Sequence, residues 1–149
     1  MMISHLLYTI VVVICEVTTT KKHKHAQEYE EIVEIVKRMV RESEEGSLII
    51  VEGERDLKAL RSLGINGDIL IYRSRRDLLD KINMLRPAHI ILLLDMDHEG
   101  EEKALYLKKF LEGSAEKIDL TYWNTLRKFR RLGLTTIESL PKILDNMVK

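Results

Sequence analysis

The chain is expected to fold as an α/β domain on a parallel sheet with helices on both faces, and three observations predict this. Short apolar runs alternate with amphipathic stretches of helical period. The runs are continuous and do not alternate with polar residues, which is the pattern of strands buried on both faces. A helix-stopping Gly or Pro follows each amphipathic stretch. Such an order gives right-handed βαβ units.

From residue 26 the elements follow in turn. Residues 26–46 place Tyr29, Ile32, Val33, Val36, Met39 and Val40 at steps of three and four among charges, so an amphipathic helix is predicted, ended by Gly46. Residues 48–51 read as a strand, and 56–63 as a helix closed by Gly64. A second strand is expected at 68–72, a helix at 76–85 stopped by Pro87, and a buried strand at 89–94. A helix at 101–111 ended by Gly113 and a last short strand at 118–120 complete the set. Residues 121–149 look like two short helices around Gly133 and Pro141, a helical extension to the sheet domain at 47–120. There is no internal repeat and no low-complexity linker.

Residues 1–25 differ from the rest. Their apolar run, residues 6–15, is too short to span a bilayer, and its positive charges at 21–25 follow it, so neither a membrane helix nor a signal peptide fits. The expectation is a poorly ordered extension or the product of an upstream start codon, with an added strand or an anchor as alternatives. The chain has 24 basic and 24 acidic residues and no formal net charge, so a nucleic acid must meet a local patch and not a polycation. The single Cys15 excludes an intrachain disulfide, and no Cys/His set has zinc-site spacing; a cytoplasmic protein is expected. The abundance of Lys, Arg and Glu with one Gln is similar to heat-adapted compositions.

In an open parallel sheet, chemistry gathers beyond the carboxyl ends of the strands. Two motifs lie there: VEGERD, residues 51–56, and DMDHEGEE, residues 95–102. If their strands are neighbours, Glu52 converges with Asp95 and Asp97. Carboxylates so close raise one another's pKa, and a divalent cation relieves that repulsion. A donor set of oxygens favours Mg²⁺, or Mn²⁺, with water or phosphate completing the shell. Gly100 permits the tight turn into the next helix, whose positive end favours a phosphate. Each acid also has a plainer reading: a D-x-D can supply a helix N-cap and a solvated loop acid, Glu52 can pair with a lysine, and His98 can be a solvent-facing turn residue.

VEGERD followed by LLLDMDHEGEEKA resembles the Toprim domain of bacterial-type primases, type IA and II topoisomerases, OLD-family nucleases and the ribosomal-RNA maturation nuclease. Glu52, Asp95 and Asp97 occupy the places of the family signature, Asp56 that of the acid four residues on, and Gly100 that of the glycine after the D-x-D. Glu99 lies where type IA topoisomerases carry a third acid, and His98 departs from the common Arg. The length and the tail are similar to the small stand-alone archaeal proteins described as primase-like. The resemblance implies a Rossmann-like sheet of four parallel strands and Mg²⁺-dependent work on phosphodiester bonds. It implies Asp95 and Asp97 as metal ligands, Glu99 as an outer or second-ion ligand, and Glu52 as general acid or base or as a further ligand. The extra domains of topoisomerases and polymerising primases have no place in these residues, so hydrolysis of RNA or DNA is expected, with a non-catalytic binding module as the alternative. Arg73, Arg75 and Arg76 follow the second strand on the edge that carries the acids, and Arg127, Lys128 and Arg130, with Arg131, form a second cluster. Both are candidate nucleic-acid contacts, with Trp123 and Phe129 as stacking faces. Solvated helix faces and a core Trp123 are the plainer readings.

Overall fold

A computed structural model describes residues 26–148. The expectations for residues 1–25, Cys15 included, lie outside the described residues. Helix α1 spans Ala26–Glu44, and its apolar stripe of Ile32, Val33, Val36, Met39 and Val40 is buried as the periodicity requires. It ends where Gly46 takes φ 105, a left-handed conformation that glycine adopts without a Cβ clash. There the Ser47 amide donates to the Glu42 carbonyl at 3.0 Å.

The sheet has four parallel strands in the order β2-β1-β3-β4: β1 Leu48–Val51, β2 Ile69–Ile71, β3 His89–Leu92 and β4 Lys117–Asp119. All four residues of β1 are buried although successive side chains point to opposite faces, so helices cover both sides. Each fully buried Leu, Ile or Val contributes about 1.5–3 kcal/mol to this core. Helix α2 (Glu54–Ser62) links β1 to β2 in one direction along the sheet. Helices α3 (Arg75–Leu85) and α4 (His98–Phe110) link β2 to β3 and β3 to β4 in the other. The direction therefore reverses beside β1, and the loops after β1 and β3 border the crevice formed there.

Three boundaries differ from the sequence reading by two residues or more, each for a local reason, and β2 and β4 shift by one residue at each end. Helix α2 begins at Glu54 and not at 56, because Gly53 takes the cap position and Glu54 and Asp56 both suit the positive first turn. Helix α4 begins at His98 and not at 101, because Asp97 is its N-cap: Oδ1 accepts the Gly100 amide at 2.7 Å. The β3 ladder ends at Leu92 and not at 94, although the Leu93 amide still donates to the Ile50 carbonyl at 2.9 Å and Leu94 is fully buried.

The C-terminal segment forms α5 (Thr121–Leu126), a 3₁₀ turn (Arg127–Leu132) closed by Gly133, a second short turn (Ile137–Ser139) and α6 (Leu140–Met147), with Pro141 in the first turn of α6. Trp123, Phe129, Leu134, Ile137 and Leu144 are all buried, so this segment shares the core of the sheet. The second turn and α6 pack on α2, and α6 also meets α1. Among the described residues no helix is long and apolar enough to cross a membrane.

Candidate metal and phosphodiester site

The loops after β1 and β3 meet at Glu52. Its Oε2 accepts the Asp95 backbone amide at 2.8 Å, and its Oε1 receives Lys103 Nζ at 2.8 Å from the second turn of α4. The carboxylate, 16% exposed, is thereby fixed between the two strand tips. Lys103 also reaches Glu99 at 3.4 Å. The hydrogen bond from Lys103 to Glu52 is the main cause that raises the lysine's pKa above its ordinary value and keeps it charged.

Asp95 follows the last apolar residue of the β3 run. Burial, then the charges of Glu52, Asp56 and Asp97, push its carboxyl up to about 6, against a smaller opposing pull from Lys103. Asp56 is buried on α2; burial again raises its pKa, although the amides of Glu138 and Gly53 donate to it, the former to Oδ1 at 2.9 Å. The acids therefore repel one another without a full set of compensating cations.

The D-x-D loop is clamped from both sides. A Cβ on Gly100 would lie 1.9 Å from the Asp95 carbonyl oxygen, so only glycine lets α4 start this close to the loop. Trp123 Nε1 donates to the Leu94 carbonyl at 2.9 Å, and the Met96 amide donates to the Thr135 carbonyl at 2.8 Å. An open cleft of about 420 Å³ adjoins these groups, lined by Glu52, Asp56 and Asp95 with Arg55, Thr136 and Glu138. A larger hollow of about 520 Å³ runs along α1 and is remote from these acids, so the smaller one is the relevant cleft.

The structure brings Glu52 onto the Asp95 backbone but does not gather every expected acid. Asp97 is exposed and caps α4 through Oδ1, a contact that engages one of its two carboxylate oxygens. Glu99 is 78% exposed and His98 87% exposed, the latter paired with Glu102 at 3.3 Å as a solvent-facing residue. Among the described residues, the group of three whose ligand atoms all lie within 4.8 Å of one another is Glu42, His89 and Asp119, not Glu52, Asp95 and Asp97.

The basic residues divide. Arg73 lies 3.9 Å from Glu54 and Arg75 donates to the Tyr106 hydroxyl at 3.0 Å, while Arg76 is exposed; all three follow β2 on the acid-bearing edge. Arg127 is folded over the Trp123 ring at 4.5 Å and paired with Glu101 at 2.9 Å, whereas Lys128 and Arg130 are exposed and Arg131 pairs with Glu28. Trp123 and Phe129 are 2% and 3% exposed, so neither offers a stacking face: Trp123 fills the core, as its plainer reading had it, and Phe129 does the same. Lys103, Thr135, Thr136 and Glu138 escaped the sequence reading. Lys103 stands on the charged face of a helical pattern and the others lie in a tail without motif, so only contact reveals them.

Residues 46–123 match the Toprim domain family. The chain belongs to it. Its relatives are small archaeal Toprim proteins, as the sequence resemblance implied. They include a UPF0292 protein of Thermococcus kodakarensis, 33% identical over 78% of this chain and 85% of that one, and a UPF0292 protein of Methanosarcina barkeri, 31% identical over 74% and 78%. A solved structure of a protein from Aquifex aeolicus is similar over 71% of this chain and 94% of that one, with TM-score 0.59 and 27% identity. Toprim domains bind divalent metals and have metal-dependent roles with nucleic acids. The Toprim cleft of this chain suits such an ion in donor chemistry: all its acids offer oxygen, and Asp95 carries a charge that its neighbours penalise.

Proposed function

We propose that this Toprim protein is a divalent-metal-dependent hydrolase of RNA or DNA phosphodiester bonds, with Mg²⁺, or Mn²⁺, held by Asp95 and Asp97. The observation that carries the reading is Glu52, fixed by the Asp95 amide at the mouth of a cleft whose carboxylates repel one another. Glu99 serves as an outer ligand. The ion would polarise a phosphoryl oxygen and lower the pKa of a bound water.

This chain's own groups do the rest. Glu52 either accepts the proton of the attacking water or returns one to the leaving oxygen, and it also serves as a ligand at a different stage of ion occupancy. The Asp95 amide and Lys103 orient it. Trp123, Thr135 and Gly100 hold the D-x-D loop so that the reacting groups need no reorganisation. Arg73, Arg75 and Arg76 on the same sheet edge neutralise backbone phosphates, and Lys128 and Arg130 extend the track; Arg127 is committed to Glu101 and Trp123 and contributes through the shape of that turn.

The experiment is a panel of structured and single-stranded RNAs and DNAs incubated with purified protein and Mg²⁺ or Mn²⁺. Cleavage is expected, with Glu52→Gln and Asp95→Asn abolishing it while far-UV circular dichroism stays native. The contact of Lys103 on Glu52 favours one second reading, a non-catalytic module that docks a phosphate backbone or an assembly partner. Tight binding without turnover, indifferent to Glu52→Gln, selects that reading.

A further inference from the structure

Away from the acidic cleft lies a second cluster of titratable groups drawn from three elements. His89 opens β3, Asp119 ends β4 beside Ile91, and Glu42 belongs to the last turn of α1. Ser47, just before β1, lies against the same imidazole. Ser47 and His89 sit at the amino-terminal edge of the sheet and Asp119 lies level with Ile91, whereas Glu52 and Asp95 follow the carboxyl ends of β1 and β3.

One donor atom from each of Glu42, His89 and Asp119 lies within 4.8 Å of the other two. We propose that Glu42, His89 and Asp119 form a second metal site, chemically distinct from the acidic cleft, that takes a borderline dication such as Zn²⁺ and ties α1 to the sheet.

The donor set is the first argument. An imidazole with two carboxylates suits Zn²⁺, in contrast to the all-oxygen cleft that suits Mg²⁺. Three protein donors leave the fourth position of a tetrahedron to water.

The outer contacts are the second argument. Ser47 Oγ and His89 Nδ1 are 2.8 Å apart, and Asp119 Oδ2 is 2.8 Å from His89 Nε2. With a dication on Nε2, Nδ1 keeps its proton and donates to Ser47, the arrangement that fixes the tautomer of a ligating histidine. Asp119 keeps its other oxygen, Oδ1, on the Thr121 amide at 2.7 Å. Glu42 accepts the Tyr122 hydroxyl on Oε2, and its Oε1 lies 4.0 Å from His89 Nδ1, on the Ser47 side of the ring, so it reaches an ion on Nε2 by swinging across the imidazole edge. Each ligand is thus steadied by a partner outside the shell.

Electrostatics is the third. Glu42 sits at the negative end of α1, next to Glu44 and Glu45, where an anion is unfavourable and a cation is welcome. Asp119 is only 4% exposed, and its nearest cation, Lys117 at 3.6 Å, is 64% exposed and free to swing away. The fit requires a small expansion. Ligand bonds of about 2.1 Å at tetrahedral angles place donors roughly 3.4 Å apart, so the 2.8 Å contact between His89 Nε2 and Asp119 opens slightly while the Glu42 side chain, 30% exposed, turns from the Nδ1 side toward Nε2.

The test is calorimetric titration of Zn²⁺ into chelator-stripped full-length protein carrying Glu52→Gln and Asp95→Asn, which disables the acidic cleft. His5, His23 and His25 are present in every variant, so only differences between variants are read. One equivalent of Zn²⁺ binding is expected to vanish with His89→Gln and with Glu42→Gln, and to weaken about 10–100-fold with Ser47→Ala. Zn²⁺ should raise Tm only where His89 and Glu42 are both present. If His89→Gln unfolds the protein, the more exposed Glu42→Gln decides alone. Zn²⁺ binding and Tm shifts unchanged by Glu42→Gln, or no Zn²⁺ binding beyond that of the variants, would show a closed hydrogen-bond network and overturn the site.

Discussion

Replacing Asp95 by Asn should stabilise the metal-free protein at neutral pH. Burial first, then Glu52, Asp56 and Asp97, move the Asp95 carboxyl from 3.8 up to about 6. An acid with a raised folded pKa binds more protons folded than unfolded between those values, so its contribution to stability is present below pH 3.8 and is lost as the pH rises through about 6. A shift of this size corresponds to at most about 3 kcal/mol. Asp95 is only partly buried, and solvent screening reduces this to about 1 kcal/mol, or about 3 °C in Tm. Trp123, the single tryptophan, donates to the Leu94 carbonyl beside this loop, so its fluorescence reports melting where it matters. In chelator at pH 7.5, Asp95→Asn is expected to melt higher than wild type, and the gap should close at about pH 4. Saturating Mg²⁺ should reverse the order, because wild type gains the ion and the variant does not. A variant that melts lower in chelator at pH 7.5, or that gains as much from Mg²⁺ as wild type, refutes the reasoning.

Gly100→Ala forces a Cβ to within 1.9 Å of the Asp95 carbonyl oxygen, so a loss of about 2 kcal/mol or more in urea unfolding is expected, with weaker Mn²⁺ binding by calorimetry. Lys103→Met frees Glu52 from its internal cation; stability in chelator should fall by less than about 1 kcal/mol, because the pair is partly exposed, while Mn²⁺ affinity rises. Weaker Mn²⁺ binding there would mean that Lys103 builds the site and does not compete for it. Asp119 behaves oppositely to Asp95: burial pushes its pKa up, but Thr121, His89 and Lys117 outweigh burial and hold it below the ordinary 3.8. Its stabilisation is therefore present above that value and lost as the pH falls through the lower folded one. Asp119→Asn should cost about 1–3 kcal/mol at pH 7 in chelator, and the deficit should shrink in acid urea melts.

The strands were legible because a parallel sheet buries both faces, so LIIV at residues 48–51 carries no polar residue to confuse its period. The larger boundary errors fall at loops of the site, while β2 and β4 shift by a single residue at each end. Asp97 and Gly53 act as caps there, and capping depends on where the backbone turns, which apolar periodicity does not report. The tail was readable as helices from Gly133 and Pro141, yet its part in the cleft was not: Thr135, Thr136 and Glu138 act through backbone groups or position, and no residue type advertises that.

By itself the sequence determined that Glu52, Asp95 and Asp97 leave the ends of buried strands, because hydrophobic pattern and chain order dictate where strands stop. Only the tertiary structure decided how those acids are held: Glu52 bound by an amide and a lysine, Asp97 capping a helix through one oxygen, Trp123 turned inward beneath the loop. Only the tertiary structure, too, drew Glu42, His89 and Asp119 together from three separate elements. The physical reason is that burial is encoded locally, residue by residue, whereas hydrogen bonds and ion pairs are settled by whichever partners the finished packing brings within about 3 Å.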